Sequence, residues 1–200
     1  MDSIPCDIVL LPSPLITKIA YAASEGLKDQ NTLFTLKEDE YYPHVSLYMV
    51  QLSLGSIENV GVALKKIAQS TSPINLTAKE FHQELGYFDV EYMRNEIIDG
   101  VQNKVLEAIN PLRDGLRKND EERLKTSTGI ELDNLQKYGY RSVGSKFSPH
   151  LTLTRFIEED TKPSVSADLD KFDGIFVSIG LFEMGDNGTC VRKILEIPLS

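Results

Sequence analysis

The sequence predicts an α+β fold of two similar lobes, each an antiparallel sheet with flanking helices, facing one another across a central groove. Strand and helix patterns alternate in two rough passes, one ending near residue 93 and the other running to the end of the chain. No low-complexity linker separates the passes, and 200 residues with 41% hydrophobic content are enough for one substantial body. We therefore expect residues 1–200 to form a single compact bilobal domain.

The first pass combines apolar strand-forming runs with helical periodicity. Ser56 offers a helix N-cap, and Gly86 marks a hairpin. In chain order, the predicted elements are strand 6–11, helix 15–27, strand 45–52, helix 56–70, and the paired strands 74–85 and 87–93.

A long amphipathic helix over residues 95–116 opens the second pass, and Pro111 is expected to kink or divide it. The charged residues 118–137 favour a short helix beside a mobile loop, and residues 151–157 favour a strand. The run from Gly185 to Gly188 is a strong turn signal, so strands 172–184 and 189–198 are expected to form a terminal hairpin.

The formal net charge of −9 narrows the class of partner. Long nucleic acids are held by many Lys and Arg contacts to phosphates, so an acidic chain is a poor binder of genomic DNA or long RNA. A small phosphorylated ligand needs only a local positive pocket. Asp2 stands where a secretory signal carries positive charge, and no stretch approaches the roughly 18 apolar residues of a membrane span. We expect a cytoplasmic monomer with no membrane partner.

Two of the three histidines share a local signature. The pattern Pro-His-apolar-hydroxyl-Leu occurs at residues 43–47 (PHVSL) and again at residues 149–153 (PHLTL). One such match is weak evidence, whereas two that agree at every position are much less probable by chance. His82 has no such context and is interpreted as structural. Cys6 and Cys190 are interpreted as buried thiols in strands, with a redox pair as the alternative.

Both motifs have strand composition, in which side chains at positions i and i+2 point to the same face. The residues expected on the groove face are His44, Ser46 and Tyr48 in the first strand and His150, Thr152 and Thr154 in the second. Strict alternation puts Arg155 on the opposite face unless a twist or bulge intervenes. The groove is thus expected to hold two imidazoles and two hydroxyls.

This set of groups suits cleavage of a phosphodiester without a metal. A neutral imidazole removes a proton from the attacking water while a protonated one donates to the leaving oxygen, and a pKa of about 6.5 populates both forms. The hydroxyls of Ser46 and Thr152 can donate hydrogen bonds to the non-bridging phosphate oxygens. No Asp or Glu cluster with His at metal-ligand spacing accompanies the motifs, so neither a metal nor another cofactor is predicted.

The paired H-x-[ST]-x motifs, their strand context, the chain length and the two-lobed pattern resemble the two-histidine (2H) phosphoesterase superfamily. That superfamily includes bacterial enzymes named 2′-5′ RNA ligases, cyclic nucleotide phosphodiesterases, 2′,5′-oligonucleotide phosphodiesterases and an RNA-trimming exonuclease. The resemblance implies that His44 and His150 are the catalytic pair and that Ser46 and Thr152 bind phosphate. It implies a phosphodiesterase whose substrate is a 2′,3′-cyclic phosphate or a small 2′,5′-linked or cyclic oligonucleotide.

The resemblance also bears on residues beside the motifs. Bacterial members often carry Arg at the step occupied by Arg155, which joins Tyr48 and Thr154 as a candidate substrate-binding residue. Ser46 stands where Thr is commoner, and Tyr48-Met49 replaces the small residue and aromatic often seen there, so the subfamily stays open. Residues 137–146 interleave aromatic and basic side chains that could stack a base, although an ordinary surface loop is slightly favoured.

Three other functions stay open. An enzyme of the same chemistry could trim the 3′ end of RNA, although the acidic charge disfavours a long RNA track. A non-catalytic module could bind a nucleotide without turnover. A structural protein with coincidental motifs would lose nothing but stability when either His44 or His150 is replaced.

Overall fold

Two antiparallel sheets with packed helices make up the fold in this computed structural model, which describes residues 2–200. The strands are β1 (Ser3–Pro12), β2 (Val45–Ser53), β3 (Ile74–Leu76), β4 (Ala78–Glu84), β5 (Tyr87–Tyr92), β6 (His150–Arg155), β7 (Gly174–Met184) and β8 (Cys190–Pro198). The α-helices are α1 (Pro14–Glu25), α2 (Ile57–Gln69), α3 (Glu96–Ile109), α4 (Lys118–Leu124) and α5 (Gly129–Tyr138). Within residues 2–200, no helix has the length and apolar character needed to cross a membrane.

The predicted α+β class with two antiparallel sheets is confirmed, but the sheets differ in size. The larger has five strands in the order β2-β1-β7-β3, with β8 also paired to β7, and the smaller has three in the order β4-β5-β6. The run predicted as one strand over residues 74–85 divides instead. β3 pairs with β7 in the larger sheet, whereas β4 forms a hairpin with β5 across Leu85 and Gly86, both of which have positive φ.

The two strands that carry the motifs lie at sheet edges. β2 ends the larger sheet and β6 ends the smaller one, so each leaves one edge without a strand partner. These two edge strands contact one another. The fold therefore places the two halves of the sequence signature on adjacent edges of two different sheets.

The larger sheet has a different buried environment on each face. Ile8 and Leu10 of β1 belong to the main core, which also contains the apolar faces of α2 and α3 and residues of the smaller sheet. On the opposite face, a small apolar cluster is formed by Val9, Leu11, Phe182 and Cys190. This second cluster underlies the first motif.

The helices of the second pass are shorter than predicted. Asn95 caps α3 by accepting hydrogen bonds from the backbone N–H groups of Ile97 and Ile98, both at 3.0 Å. The helix ends at Ile109 and not near residue 116, because Pro111 has no N–H with which to continue the ladder. Residues 118–137, predicted as one short helix beside a mobile loop, form α4 and most of α5.

Candidate active site

Both motif histidines are anchored in the same way. His44 Nδ1 lies 2.7 Å from the carbonyl oxygen of Tyr42, and His150 Nδ1 lies 2.8 Å from that of Ser148. Each carbonyl belongs to the residue two positions earlier. Because a carbonyl can only accept, Nδ1 carries the proton in each ring, and Nε2 is left free to accept or donate a proton.

A β-bulge follows the hydroxyl residue of the first motif. Val9 pairs with Ser46 and Ile8 pairs with Tyr48, so Leu47 is the extra residue of β2. Since Val9 and Ile8 face opposite sides of β1, Ser46 and Tyr48 also face opposite sides. The prediction that Tyr48 lines the groove is wrong. Its side chain is fully buried, and its hydroxyl donates to the Tyr138 carbonyl oxygen at 2.6 Å.

The second motif contains a bulge at the equivalent position. Asp89 pairs with Thr152 and Phe88 with Thr154, which makes Leu153 the extra residue of β6. Thr154 is therefore turned away from Thr152, and the prediction that it lines the groove is also wrong. Its buried hydroxyl donates to the Phe34 carbonyl oxygen at 2.5 Å.

The same bulge places Arg155 on the face of β6 that carries Thr152. Strict alternation predicted the opposite face for Arg155 unless a twist or bulge intervened, and the bulge is present. Its guanidinium lies over the ring of Tyr87 and donates to the side-chain oxygen of Asn187 at 2.8 Å. Asn187 has a positive φ of 58° in the turn between β7 and β8. Arg155 thus holds this turn against β6.

Asp7 is a part of the site that the motifs did not indicate. Its carboxylate is fully buried in β1, accepts a 2.6 Å hydrogen bond from Ser46 Oγ, and lies 3.7 Å from His44 Nε2. Burial raises the pKa of Asp7 to about 7, partly offset by the Ser46 hydrogen bond and by the charges of Arg117 and His150.

Ser46 therefore has a different partner from the one predicted. The side chain is buried, and its hydroxyl proton is directed at Asp7 instead of at an open phosphate site. The only signal for Asp7 in the sequence is an acid within an otherwise apolar strand. Such a residue requires a specific partner, because burying a charge is costly unless it is compensated.

The imidazole of His44 is itself largely enclosed. The side chain is 11% exposed. Burial lowers the pKa of His44 to about 4, the hydrogen bond to the Tyr42 carbonyl opposes this shift, and the nearby charge of His150 adds to it. His150 contributes to the pKa of His44 and to that of Asp7, so its ring lies near both groups.

Cys190 lies next to Nε2 of His44, the nitrogen that also faces Asp7. Its sulfur lies 3.7 Å from His44 Nε2, and its burial raises the pKa of the thiol. Both cysteines are free and buried, and both lie in strands, as the sequence predicted. One ligand atom from each of Asp7, His44 and Cys190 lies within 4.8 Å of the others, so these are the residues that could hold a metal.

A small cavity opens between His44 of the first motif and Thr152 of the second. His44 and Thr152 contribute one side chain from each motif. The remaining walls are a largely aromatic one formed by Phe34, Leu36, Tyr41 and Tyr42, and the turn residues Asn187, Gly188 and Thr189. His150 is not one of the lining residues, but it lies on the face of β6 that carries Thr152.

The aromatic wall comes from the segment before the first motif and not from residues 137–146. Tyr140 of that stretch is buried against Tyr48, with 6.1 Å between ring centroids, while Lys146 is exposed. The adjacent pair Tyr41-Tyr42, directly before Pro43, was the available signal. His82 is exposed on β4, outside the site.

Comparison with known proteins adds a family and a fold. The family model described as "Protein of unknown function (DUF1045)" matches residues 53–177. The chain belongs to the DUF1045 family. The matched segment includes His150 and Thr152 of the second motif, whereas His44 and Ser46 lie before it. No curated protein is significantly similar to this DUF1045 chain.

Several solved structures share the fold over nearly the whole length. TT0787 of Thermus thermophilus has a TM-score of 0.63 at 11% identity and covers 98% of each chain. LigT of Escherichia coli, in complex with 3′-AMP, has a TM-score of 0.61 at 10% identity, over 100% of this chain and 99% of LigT. A further crystal structure, of a phosphoesterase, has a TM-score of 0.52 at 12% identity, over 100% of this chain and 99% of that one. This DUF1045 chain therefore has the fold of LigT, a 2H phosphoesterase, as the paired motifs predicted.

Proposed function

We propose that the chain is a metal-independent phosphodiesterase that uses His44 and His150 as a general acid/base pair. The observation that supports this most is the matched anchoring of the two imidazoles. Each has Nδ1 at a backbone carbonyl, which leaves Nε2 to exchange the proton, and each lies at the start of an edge strand that contacts the other. His150 lies close enough to His44 to affect its pKa, and two imidazoles so placed can act on opposite sides of one phosphorus atom.

The surroundings of the two rings give them different roles. His44 is enclosed and its pKa is lowered, so it is neutral near pH 7 and can take a proton from the attacking water through Nε2. His150 then acts as the acid: its protonated Nε2 gives a proton to the leaving sugar oxygen as the bond from phosphorus to that oxygen breaks. The products are a phosphate monoester and a free hydroxyl.

Thr152 is the hydroxyl available to the phosphate, since it lines the cavity beside His44. A hydrogen bond from Thr152 to a non-bridging oxygen would hold the phosphorus near both imidazoles. Ser46 contributes indirectly through Asp7, to which its hydroxyl donates. Arg155 positions Asn187 at the cavity wall.

The cavity favours a small substrate. It is a small recess and not a pocket that encloses a whole ligand. A phosphate would bind at its mouth beside His44 and Thr152, and a base could stack on the wall formed by Tyr41 and Tyr42. Together with the net charge of −9, this favours a 2′,3′-cyclic phosphate or a small 2′,5′-linked or cyclic oligonucleotide over a long RNA. Solved structures of E. coli LigT contain 3′-AMP, ATP, NADP+ or phosphate.

The test is turnover of a substrate panel in the presence of a chelator. The panel comprises nucleoside 2′,3′-cyclic phosphates, 2′,5′-oligoadenylate, cyclic dinucleotides and short RNA. We expect hydrolysis of one of the first three classes, and a loss of at least about a hundredfold in His44→Ala and in His150→Ala, since a general acid or base contributes about 10²–10⁴. His82→Ala is the matched control, because that histidine is exposed on β4, two strands away from Thr152, and does not line the cavity.

Other outcomes would redirect the proposal. Stepwise shortening of RNA alone would indicate a 3′-trimming exonuclease. Ligand binding without turnover of any phosphodiester would indicate a nucleotide-binding module. Full activity in both His→Ala variants, or activity that a chelator abolishes and metal restores, would contradict the mechanism.

A further inference from the structure

Three chemically different metal ligands meet beside the cavity. Asp7 comes from β1, His44 from the segment before β2, and Cys190 from the start of β8. His44 Nε2 lies 3.7 Å from Asp7 Oδ2 and 3.7 Å from Cys190 Sγ. In the phosphodiesterase chemistry proposed above, neither the thiol nor the carboxylate transfers a proton or contacts the phosphate.

Two of the three spacings are close to those of a tetrahedral metal site, and all three ligand atoms lie within 4.8 Å of one another. Zinc bonds of about 2.0–2.3 Å place neighbouring ligand atoms about 3.3–3.6 Å apart. The two measured distances exceed that range by only a few tenths of an ångström. His44 lines the cavity, so a fourth position could be filled from that side by water or by a phosphate oxygen.

A second observation also indicates a cation at this site. The side chain of Asp7 is fully buried, yet its Oδ1 has no hydrogen-bond partner among residues 2–200. A buried carboxylate oxygen without a partner is costly, and coordination of a cation is one way to offset that cost. The thiol and imidazole select zinc over the hard cations magnesium and calcium, which prefer all-oxygen sites.

We propose that Asp7, His44 and Cys190 bind a zinc ion and that this ion switches the enzyme off. On binding, Cys190 releases its thiol proton to solvent and coordinates as the thiolate, and the lone pair of His44 Nε2 is donated to the metal. That lone pair is then unavailable to take a proton from water. The inhibition rests on the proposed function, whereas the binding of the metal does not.

Binding is tested first, without any substrate. Chelator-treated full-length protein is titrated with Co²⁺, whose thiolate complexes absorb in the near-ultraviolet, and the Co²⁺ is then displaced by Zn²⁺. We expect one equivalent to bind with a thiolate-to-cobalt charge-transfer band. Cys190→Ser should lose the band and weaken zinc binding at least about a hundredfold, since loss of an outer-shell partner alone costs about 10–100-fold.

Cys6→Ser is the matched control. Cys6 is as fully buried as Cys190 and adjoins Asp7 in β1, but it lies on the opposite face of that strand from Asp7, in the main core. It should keep the band and the affinity. Circular dichroism of each variant shows whether it is folded. Absence of the band in the folded wild-type protein, or an unchanged band in Cys190→Ser, would overturn the site.

Inhibition is tested on the hydrolysed substrate, relative to the metal-free rate of each variant. One equivalent of Zn²⁺ should lower wild-type turnover at least tenfold, a chelator should restore it, and Cys190→Ser should resist the same zinc concentration. Zinc that binds at this site without lowering turnover would overturn the inhibitory role while leaving the site intact. If no substrate is hydrolysed at all, the cobalt titration still decides whether the site exists.

Discussion

The two motifs are alike in local structure and unlike in surroundings. Each holds Nδ1 of its histidine at the carbonyl of the residue two positions earlier, and each has a bulge at its leucine, Leu47 or Leu153. Five residues of matching sequence thus give matching backbone geometry. Local sequence therefore positions each imidazole, whereas more distant parts of the chain determine its burial and its contacts.

The difference lies in what encloses each ring. The first motif lies over a buried layer containing Asp7 and Cys190, and its hydroxyl residue, Ser46, is bonded to that layer. In the second, Thr152 faces the cavity, and the strand neighbour of His150 is Glu91, whose carboxylate bonds Lys79 and Ser148. The buried surroundings of the first motif favour the neutral form of the His44 imidazole, which a general base requires.

The largest difference that we expect between the two motifs is in what their hydroxyl residues contribute to catalysis. Thr152→Val should lower kcat/KM by about 10²–10³, as does loss of one hydrogen-bond donor to a developing oxyanion. Ser46→Ala should cost less than about tenfold, because that hydroxyl serves Asp7. Thr152→Ser, which keeps the hydroxyl, is the control. Equal losses in Ser46→Ala and Thr152→Val would mean that both hydroxyls contact phosphate and that the motifs are equivalent.

The next effect concerns stability and pH in the metal-free protein. The pKa of Asp7, about 7 when folded, is raised above its ordinary value of 3.8, so its ionisation costs folding stability that grows as pH rises from about 4 to 7 and then levels off. Asp7→Asn should therefore gain stability relative to wild type as pH rises, by up to a few kcal/mol at pH 8, since one pKa unit is about 1.4 kcal/mol. Thermal unfolding at pH 4, 6 and 8 measures this. A gain that shrinks as pH rises would contradict the buried carboxylate.

The smallest effect tests the bulge at Leu47. Tyr48→Phe removes a hydroxyl that bonds Asn110 Oδ1 at 3.0 Å and the Tyr138 carbonyl at 2.6 Å. We expect a loss of about 1–2 kcal/mol in the free energy of unfolding, measured with denaturant, because two partly buried acceptors lose their donor. Turnover should stay near that of wild type. A large loss of activity at unchanged stability would indicate that Tyr48 does line the groove and would contradict the bulge.

The parts of the fold set by local pattern were predictable from the sequence. The strands around both motifs, helices α1 and α2, and the terminal hairpin lie within a few residues of their predicted positions. The division between β3 and β4 was not predictable, because a continuous run of strand formers carries no sign that its two ends pair with different sheets.

The site shows the same limit. Strict alternation placed Tyr48 and Thr154 in the groove, and one extra residue in each strand reverses them. Asp7 and Cys190 come from strands far from His44 in sequence, so no spacing rule could join them. Their assembly depends on the order of strands in the larger sheet, which is a property of the whole chain.

The central claim, that His44 is the base and His150 the acid at one phosphate, is tested most directly by changing the leaving group. A 4-nitrophenyl ester of a nucleotide needs no protonation of its leaving oxygen, whereas a nucleoside 2′,3′-cyclic phosphate does. On the cyclic phosphate, both His→Ala variants should lose at least about a hundredfold. On the nitrophenyl ester, His150→Ala should recover to within about tenfold of wild type while His44→Ala stays inactive. Recovery of His44→Ala instead, or an equal loss by His150→Ala on both substrates, would contradict the assignment.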